Sequence, residues 1–151
     1  MNDAGSQEAE APLRIAAAIL AAREGYMMQL RDPKPTIRLP DHWACFGGGI
    51  EPGESAADAL VRELGEELEL TPRSLRWFTR TAWVLPRTEA SFMELDFFAV
   101  PISAEEIEAM VQHEGAGRRI MTVEELVREP RVAPWDLAAV MMHARQEALF
   151  G

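Results

Sequence analysis

Residues 48–70 read GGIEPGESAADALVRELGEELEL. The first part is turn chemistry: Gly48, Gly49, Pro52 and Gly53 sustain neither a helix nor a strand ladder. From Ser55 the pattern changes. Ser55 with Asp58 three residues on resembles a capping box, with Asp where Glu or Gln is more usual. The Ala- and Leu-rich run that follows predicts a helix over 55–68, stopped by Pro72. At 100° per residue, Ala57, Leu60, Val61, Leu64 and Leu68 form a stripe that packs on a core. Glu63, Glu66 and Glu67, at spacings i, i+3 and i+4, share the adjoining face within an arc of about 100°.

That acidic face destabilises the helix that carries it. Like charges at these spacings cost a few tenths of a kcal/mol each, about the size of one favourable ion pair on a helix. Gly65 in the helix interior costs about 1 kcal/mol relative to Ala. Arg62, one turn before Glu66, is the only basic residue of the segment. Three acids on a surface helix, taken alone, read as a solvated face. The glycines ahead of them change the reading, because glycine lets backbone carbonyls approach a ligand closely. A carbonyl from the turn plus helix carboxylates is an all-oxygen donor set, which suits Mg²⁺ or Mn²⁺ rather than Zn²⁺.

The whole chain bears this out in its charge. It has 151 residues, one ordinary domain, and a net charge of −10. Residues 48–70 hold seven acids against Arg62, a balance of −6. Such a chain does not neutralise many phosphates along a nucleic acid, but it can hold a small phosphorylated ligand if cations sit between them. With Cys45 alone, an intramolecular disulfide and a Cys-rich zinc site are excluded. No apolar run reaches the roughly 18 residues of a membrane span, and the start of the chain lacks the basic-then-apolar order of a signal peptide. The expectation is a soluble, cytoplasmic protein with a disordered acidic tail at 1–11 and one domain over 12–151.

On either side of this segment the pattern mixes strands and helices. Residues 13–22 (LRIAAAILAA) read as strand or helix; the alanines favour helix locally, while the Glu24-Gly25 turn and residues 26–31 favour a hairpin of two strands. Residues 32–40, with three prolines, form a loop. Residues 43–46 form a short strand. Residues 75–85 and 91–100 predict two strands joined by a turn at 86–90. Ser103 caps a short helix to about Val111, residues 119–121 are extended, and Thr122 with Glu125 caps a helix through Arg128. Pro134 suits the first turn of a last helix to about Phe150, with an apolar stripe at Leu137, Val140, Met141, Ala144 and Ala148. The fold class is α/β of the α+β kind: a mixed sheet flanked by helices.

Gly48, five residues, Glu54, seven residues, then Arg62-Glu63-Leu64-Gly65-Glu66-Glu67-Leu68-Glu69-Leu70 resembles the Nudix box of the MutT-like Nudix hydrolases, G-x5-E-x7-R-E-U-x-E-E-x-G-U with U aliphatic. Six of the seven fixed letters are present; the last glycine is Glu69 here. Residues 23–31 look like the family's first hairpin. WACFGGGIE at 43–51 is similar to its approach to the box, with Phe46 where many members have proline. His113-Glu114-Gly115 and residues 120–126 resemble a later loop and strand.

The resemblance implies the Nudix fold: a mixed, curved sheet sandwiched between helices, with the box as loop–helix–loop. It implies Mg²⁺- or Mn²⁺-dependent hydrolysis of a pyrophosphate bond in a nucleoside diphosphate linked to another group. That group makes the substrate a nucleoside triphosphate, oxidised or not, or ADP-ribose or a nucleotide sugar. By position, Gly48, Glu63, Glu66 and Glu67 hold metal, and Arg62 holds Glu54 or a neighbouring carboxylate. Glu114 is an additional acid, and the general base is one of Glu66, Glu67 and Glu114. At Glu69 the helix is expected to run further or turn differently from a member with glycine.

Outside the box, Arg31 is a candidate for a phosphate, and Trp43 and Phe46 for stacking on a base, with core packing the plain alternative for both aromatics. Pro86, 16 residues beyond the box, resembles a marker of ADP-ribose-cleaving members, or is a turn proline. His42, His113 and His143 default to structural or solvent roles. The partners expected are a small nucleotide-type molecule and, at most, a second copy of the chain: a monomer or homodimer. A catalytically retired nucleotide sensor is the alternative; such domains typically lose box glutamates, and this chain keeps them.

Overall fold

A computed structural model describes residues 12–85 and 92–151. The acidic tail at 1–11 and the turn at 86–90, with Pro86, lie outside the described residues.

The run at 13–22 is a strand, β1 (Leu13–Ala21), at the centre of the sheet. It runs parallel to β6 (Phe92–Pro101) along its whole length, from Leu13 opposite Met93 to Ala21 opposite Pro101. Its other edge is divided. Ile15 to Ala18 pair antiparallel with β4 (Phe46–Gly49), and Ala21 pairs with Tyr26 of β2 (Tyr26–Leu30). The expected hairpin therefore forms, closed by Ala22 N–H donating to Gly25 O, but its strands part at once. β4 takes the edge that β2 leaves.

The alanines of β1 are explained by burial on both faces. Ala16 and Ala18 pack with Phe46, Leu60, Leu64 and Phe98, and Ala17 and Ile19 with Met28, Met93, Phe97 and Val140.

β2 continues the sheet through β7 (Gly117–Met121) on one side and β3 (Trp43–Ala44) on the other. β5 (Arg76–Val84) pairs antiparallel with β6, with a bulge between Trp77 and Thr79. The short strand expected at 43–46 is thus two, β3 and β4, broken at Cys45. The helix at the box, α1 (Ala56–Leu68), covers one face of the sheet, with α2 (Ala104–Ala109) contributing Ile107. α3 (Val123–Arg128) and α4 (Pro134–Phe150) cover the other. The mixed seven-stranded sheet between helices is the architecture expected. Among the described residues no helix is long and apolar enough to cross a membrane.

The stripe expected on α4 is only partly right. Its buried residues are Asp136, Ala139, Val140 and His143, while Ala148 is exposed. His143 is held by Tyr26, whose hydroxyl lies 2.8 Å from Nδ1, and burial lowers its pKa.

At Glu69 the expectation is corrected. The helix ends at Leu68, and Glu69 itself takes the left-handed conformation, φ 52° and ψ 33°, that a glycine would supply. Its N–H donates to Gly65 O, and Leu70 N–H donates to Leu64 O. The helix ends here because Leu68 and Leu70 are both buried, so the turn between them is dictated by packing. A β-carbon in that conformation costs about 1 kcal/mol. Glu69→Gly should raise stability by about that amount, less the exposed Glu69–His113 contact (2.8 Å), as read by urea unfolding.

Candidate active site

The site lies where β4 and β2 part, with the N-terminal loop of α1 across it. Ser55 Oγ accepts from Asp58 N–H and starts the helix, which fixes its acidic face toward β4. Glu63 lies directly against Gly48: a Cβ on Gly48 would stand 2.4 Å from its carboxyl carbon. Glu67, one turn on, is 2% exposed. Its Oε1 accepts from Gly47 N–H at 3.2 Å and its Oε2 from Gln29 Nε2 at 3.3 Å.

Glu114 arrives from the loop between α2 and β7. That loop is drawn in by the β2–β7 ladder, by Ala116 N–H donating to Leu30 O and by His113 N–H donating to Glu67 O. One carboxylate oxygen from each of Glu63, Glu67 and Glu114 lies within 4.8 Å of the others.

The electrostatics follow from this packing. Burial, with Glu114 and Glu63 adding repulsion, pushes the Glu67 carboxyl up to about 9. Burial and Glu63 raise Glu114, against a lowering by Arg31. Arg62 serves the other side of the cluster. Its Nε and Nη2 donate to the two oxygens of Glu54 at 2.9 Å each, its Nη2 to Gly49 O at 3.0 Å, and its Nη1 to Glu63 Oε1 at 2.8 Å. The fork holds Glu54 down at about 2, helped by Glu51 N–H, and clips the glycine turn to the helix.

Three of the four box-face and loop carboxylates are therefore brought together. Glu66 stands apart at the rim, exposed, 3.5 Å from Arg62 Nη1.

The residues expected to meet a base behave differently. Phe46 is fully buried among Leu60, Leu64 and Phe98 and offers no surface. Trp43 packs into the core on the α4 side and bridges to Val132. Both take the core-packing alternative. The cleft beside Gly47 and Gly48 is lined instead by Trp135 and Asp136 of α4, Cys45, Arg38 and Arg31. Arg31, the candidate for a phosphate, directly follows β2, with Nε donating to Arg38 O at 2.8 Å. Among the described residues, the buried Nε of Arg38 has no hydrogen-bond partner.

Asp136 does not stand out in the sequence, since an acid in a helix's first turn is ordinary. Its Oδ2 accepts from Cys45 N–H at 3.1 Å, and burial pushes its carboxyl up to about 7. The folded state therefore keeps a proton that the unfolded carboxyl gives up near pH 4. Stability from this group is present below about pH 4 and lost as pH rises through about 7. Asp136→Asn keeps an acceptor for Cys45 and has no charge to bury. It should match the parent near pH 4 and exceed it at pH 8, by at most about 4 kcal/mol, in urea unfolding at the two pH values.

A family model for the NUDIX domain matches residues 12–142. The chain is 36% identical over 64 residues to nucleoside triphosphatase NudI of Salmonella agona, a match covering 38% of this chain and 45% of that protein. Matches to proteins of that name cover 21–45% of their length, so the chain spans less than half of the curated relatives it matches. Among solved structures, the ORF135 protein of E. coli superposes with a TM-score of 0.71 at 23% identity, over 91% of this chain and 92% of that one. The MutT protein from Methanosarcina mazei Go1 superposes with a TM-score of 0.75 at 14% identity, over 91% and 97%. These two likenesses are likenesses of fold.

Proposed function

The chain belongs to the Nudix hydrolase family, and on that premise we propose that it hydrolyses the pyrophosphate bond of a nucleoside triphosphate with Mg²⁺ or Mn²⁺. The observation that carries this reading is the meeting of Glu63, Glu67 and Glu114 within 4.8 Å. A multivalent cation is the counter-charge that would let all three carboxylates ionise so close together; without it the buried Glu67 keeps its proton at neutral pH. The donor set is oxygen only, with the Gly48 backbone beside Glu63, which fits a hard divalent ion. Glu63, Glu67 and Glu114, with Gly48, would hold it.

Bound there, the ion supplies charge neutralisation at the phosphate oxygens and a more acidic water. The chain's own groups do the rest. Arg62 keeps Glu63 and the glycine turn in register. Glu66, Glu67 and Glu114 are the carboxylates available to take the proton that hydrolysis releases. Arg31, which touches the cleft and lies near Glu114, meets a phosphate oxygen. Trp135 offers a face to the base, and the unpartnered Arg38 N–H and Asp136 offer polar contacts to its edge.

A triphosphate is favoured over ADP-ribose by the name of the NudI relatives, nucleoside triphosphatases. The test is product analysis with Mg²⁺ over nucleoside triphosphates, oxidised nucleotides, ADP-ribose and dinucleoside polyphosphates. Monophosphate and pyrophosphate from a triphosphate support the proposal. Tight nucleotide binding without turnover replaces it with a sensor.

A further inference from the structure

Gln29 is a neutral amide buried in a strand that otherwise reads apolar, YMMQL. It is 5% exposed. On β2 it stands opposite Ala44 of β3 and Arg118 of β7, so its backbone is fixed from both sides. Its Nε2 donates to Glu67 Oε2 at 3.3 Å and to the backbone carbonyl of Glu114 at 3.1 Å. Both neighbours are acceptors, so the amide must turn its NH₂ to them, one hydrogen for each. The loop is shaped to this contact. Gly115 has φ +91°, and a Cβ there would stand 2.8 Å from Gln29 Cγ.

We infer that Gln29 is a positioning residue for the cation site, holding the loop of Glu114 and the carboxylate of Glu67 at the separation at which both reach one divalent ion. The inference rests on the proposed function. The residue type suits this role. Lysine or arginine at this place would neutralise Glu67 and compete with the ion. An aliphatic side chain would leave the buried Glu67 Oε2 without its donor, and the Glu114 carbonyl with Gln112 Nε2 alone, at 2.9 Å. An amide holds both and leaves the charge in place. The gain is preorganisation: once ionised, Glu63, Glu67 and Glu114 repel one another, and the Gln29 contact adds to the His113 and Ala116 backbone bonds that keep the loop from withdrawing.

Gln29→Met keeps the length and burial of the side chain and removes the donor. Mn²⁺ binding to the protein alone, followed by the electron paramagnetic resonance of free Mn²⁺, should weaken about tenfold. The half-saturating Mg²⁺ in turnover should rise by a like factor, with KM for the nucleotide at saturating Mg²⁺ unchanged. In a Glu114→Gln background the same substitution should change Mn²⁺ affinity clearly less than in the parent, because the tether then holds only the carboxylate of Glu67. Gln29→Leu repeats the measurement if Gln29→Met does not fold. Unchanged Mn²⁺ affinity in the folded variant, or full additivity with Glu114→Gln, overturns the inference alone. No Mn²⁺ binding by the parent protein overturns the proposed cation site and the inference with it.

Discussion

Glu67→Gln should reduce turnover by about 10³-fold while leaving the metal-free protein at least as stable as the parent. The two halves of this expectation have one cause. Glu67 is buried beside Glu63 and Glu114, and its carboxyl is pushed up to about 9. Its ionised form would therefore burden the fold, so the metal-free carboxyl keeps its proton at neutral pH and gives it up when a cation binds. Glutamine keeps the shape of the neutral acid and cannot ionise for a cation. Its carbonyl can still accept from Gly47 N–H, as Oε1 does at 3.2 Å. Its NH₂ would then face the NH₂ of Gln29, a donor against a donor, which the Gln29 amide relieves by turning its oxygen inward while the Glu114 carbonyl keeps Gln112 Nε2.

Thermal unfolding with and without Mg²⁺ separates these effects. The parent should be stabilised by Mg²⁺, since an ion that binds only the folded state shifts the equilibrium. The variant should lose that shift while its metal-free midpoint stays level or rises. A variant that turns over near the parental rate would remove Glu67 from the site.

What can be read from the chain follows from where the information is local. The helix at 56–68 and its cap are set by spacings within twenty residues and stand where the pattern puts them; the Arg62–Glu54 contact, which the family resemblance implies, forms as well. Glu114 is different. It lies far along the chain from Glu67, and only the β2–β7 ladder and the His113–Glu67 backbone bond bring it in, so family resemblance points to it and spacing alone does not.

β1 is ambiguous in the sequence because a central strand buried on both faces has no alternation to show. The aromatic residues mislead for the same kind of reason. Whether Phe46, Trp43 or Trp135 faces the cleft depends on how β4 displaces β2 along β1, which no local pattern records. Gln29 and Asp136 do carry a signal: each is a polar residue on an otherwise buried face. That signal appears once the buried face is known.

Gly47 and Gly48 should respond in opposite ways to one added methyl group. Gly47 has φ +148°, a conformation that side chains rarely adopt, and a Cβ there would stand 2.1 Å from Ala16 O and 2.8 Å from Ala17 Cα. These are backbone atoms of the central strand, locked between β6 and β4, and cannot give way. Strain and overpacking together cost about 3–6 kcal/mol, a large part of the roughly 5–15 kcal/mol that holds a domain folded. Gly47→Ala should therefore unfold at much lower urea or fail to accumulate as folded protein.

At Gly48 the obstacle is the end of a side chain, the Glu63 carboxyl at 2.4 Å, which can rotate away. Gly48→Ala should keep most of the stability and lose Mn²⁺ affinity and turnover, because Glu63 can no longer lie against the strand beside Glu67. The two glycines thus serve different ends. Gly47 lets β4 approach β1, and Gly48 makes room for a carboxylate. Equal stability losses at both positions, or a Gly48→Ala protein with parental Mn²⁺ affinity, would show that Glu63 does not need its present seat.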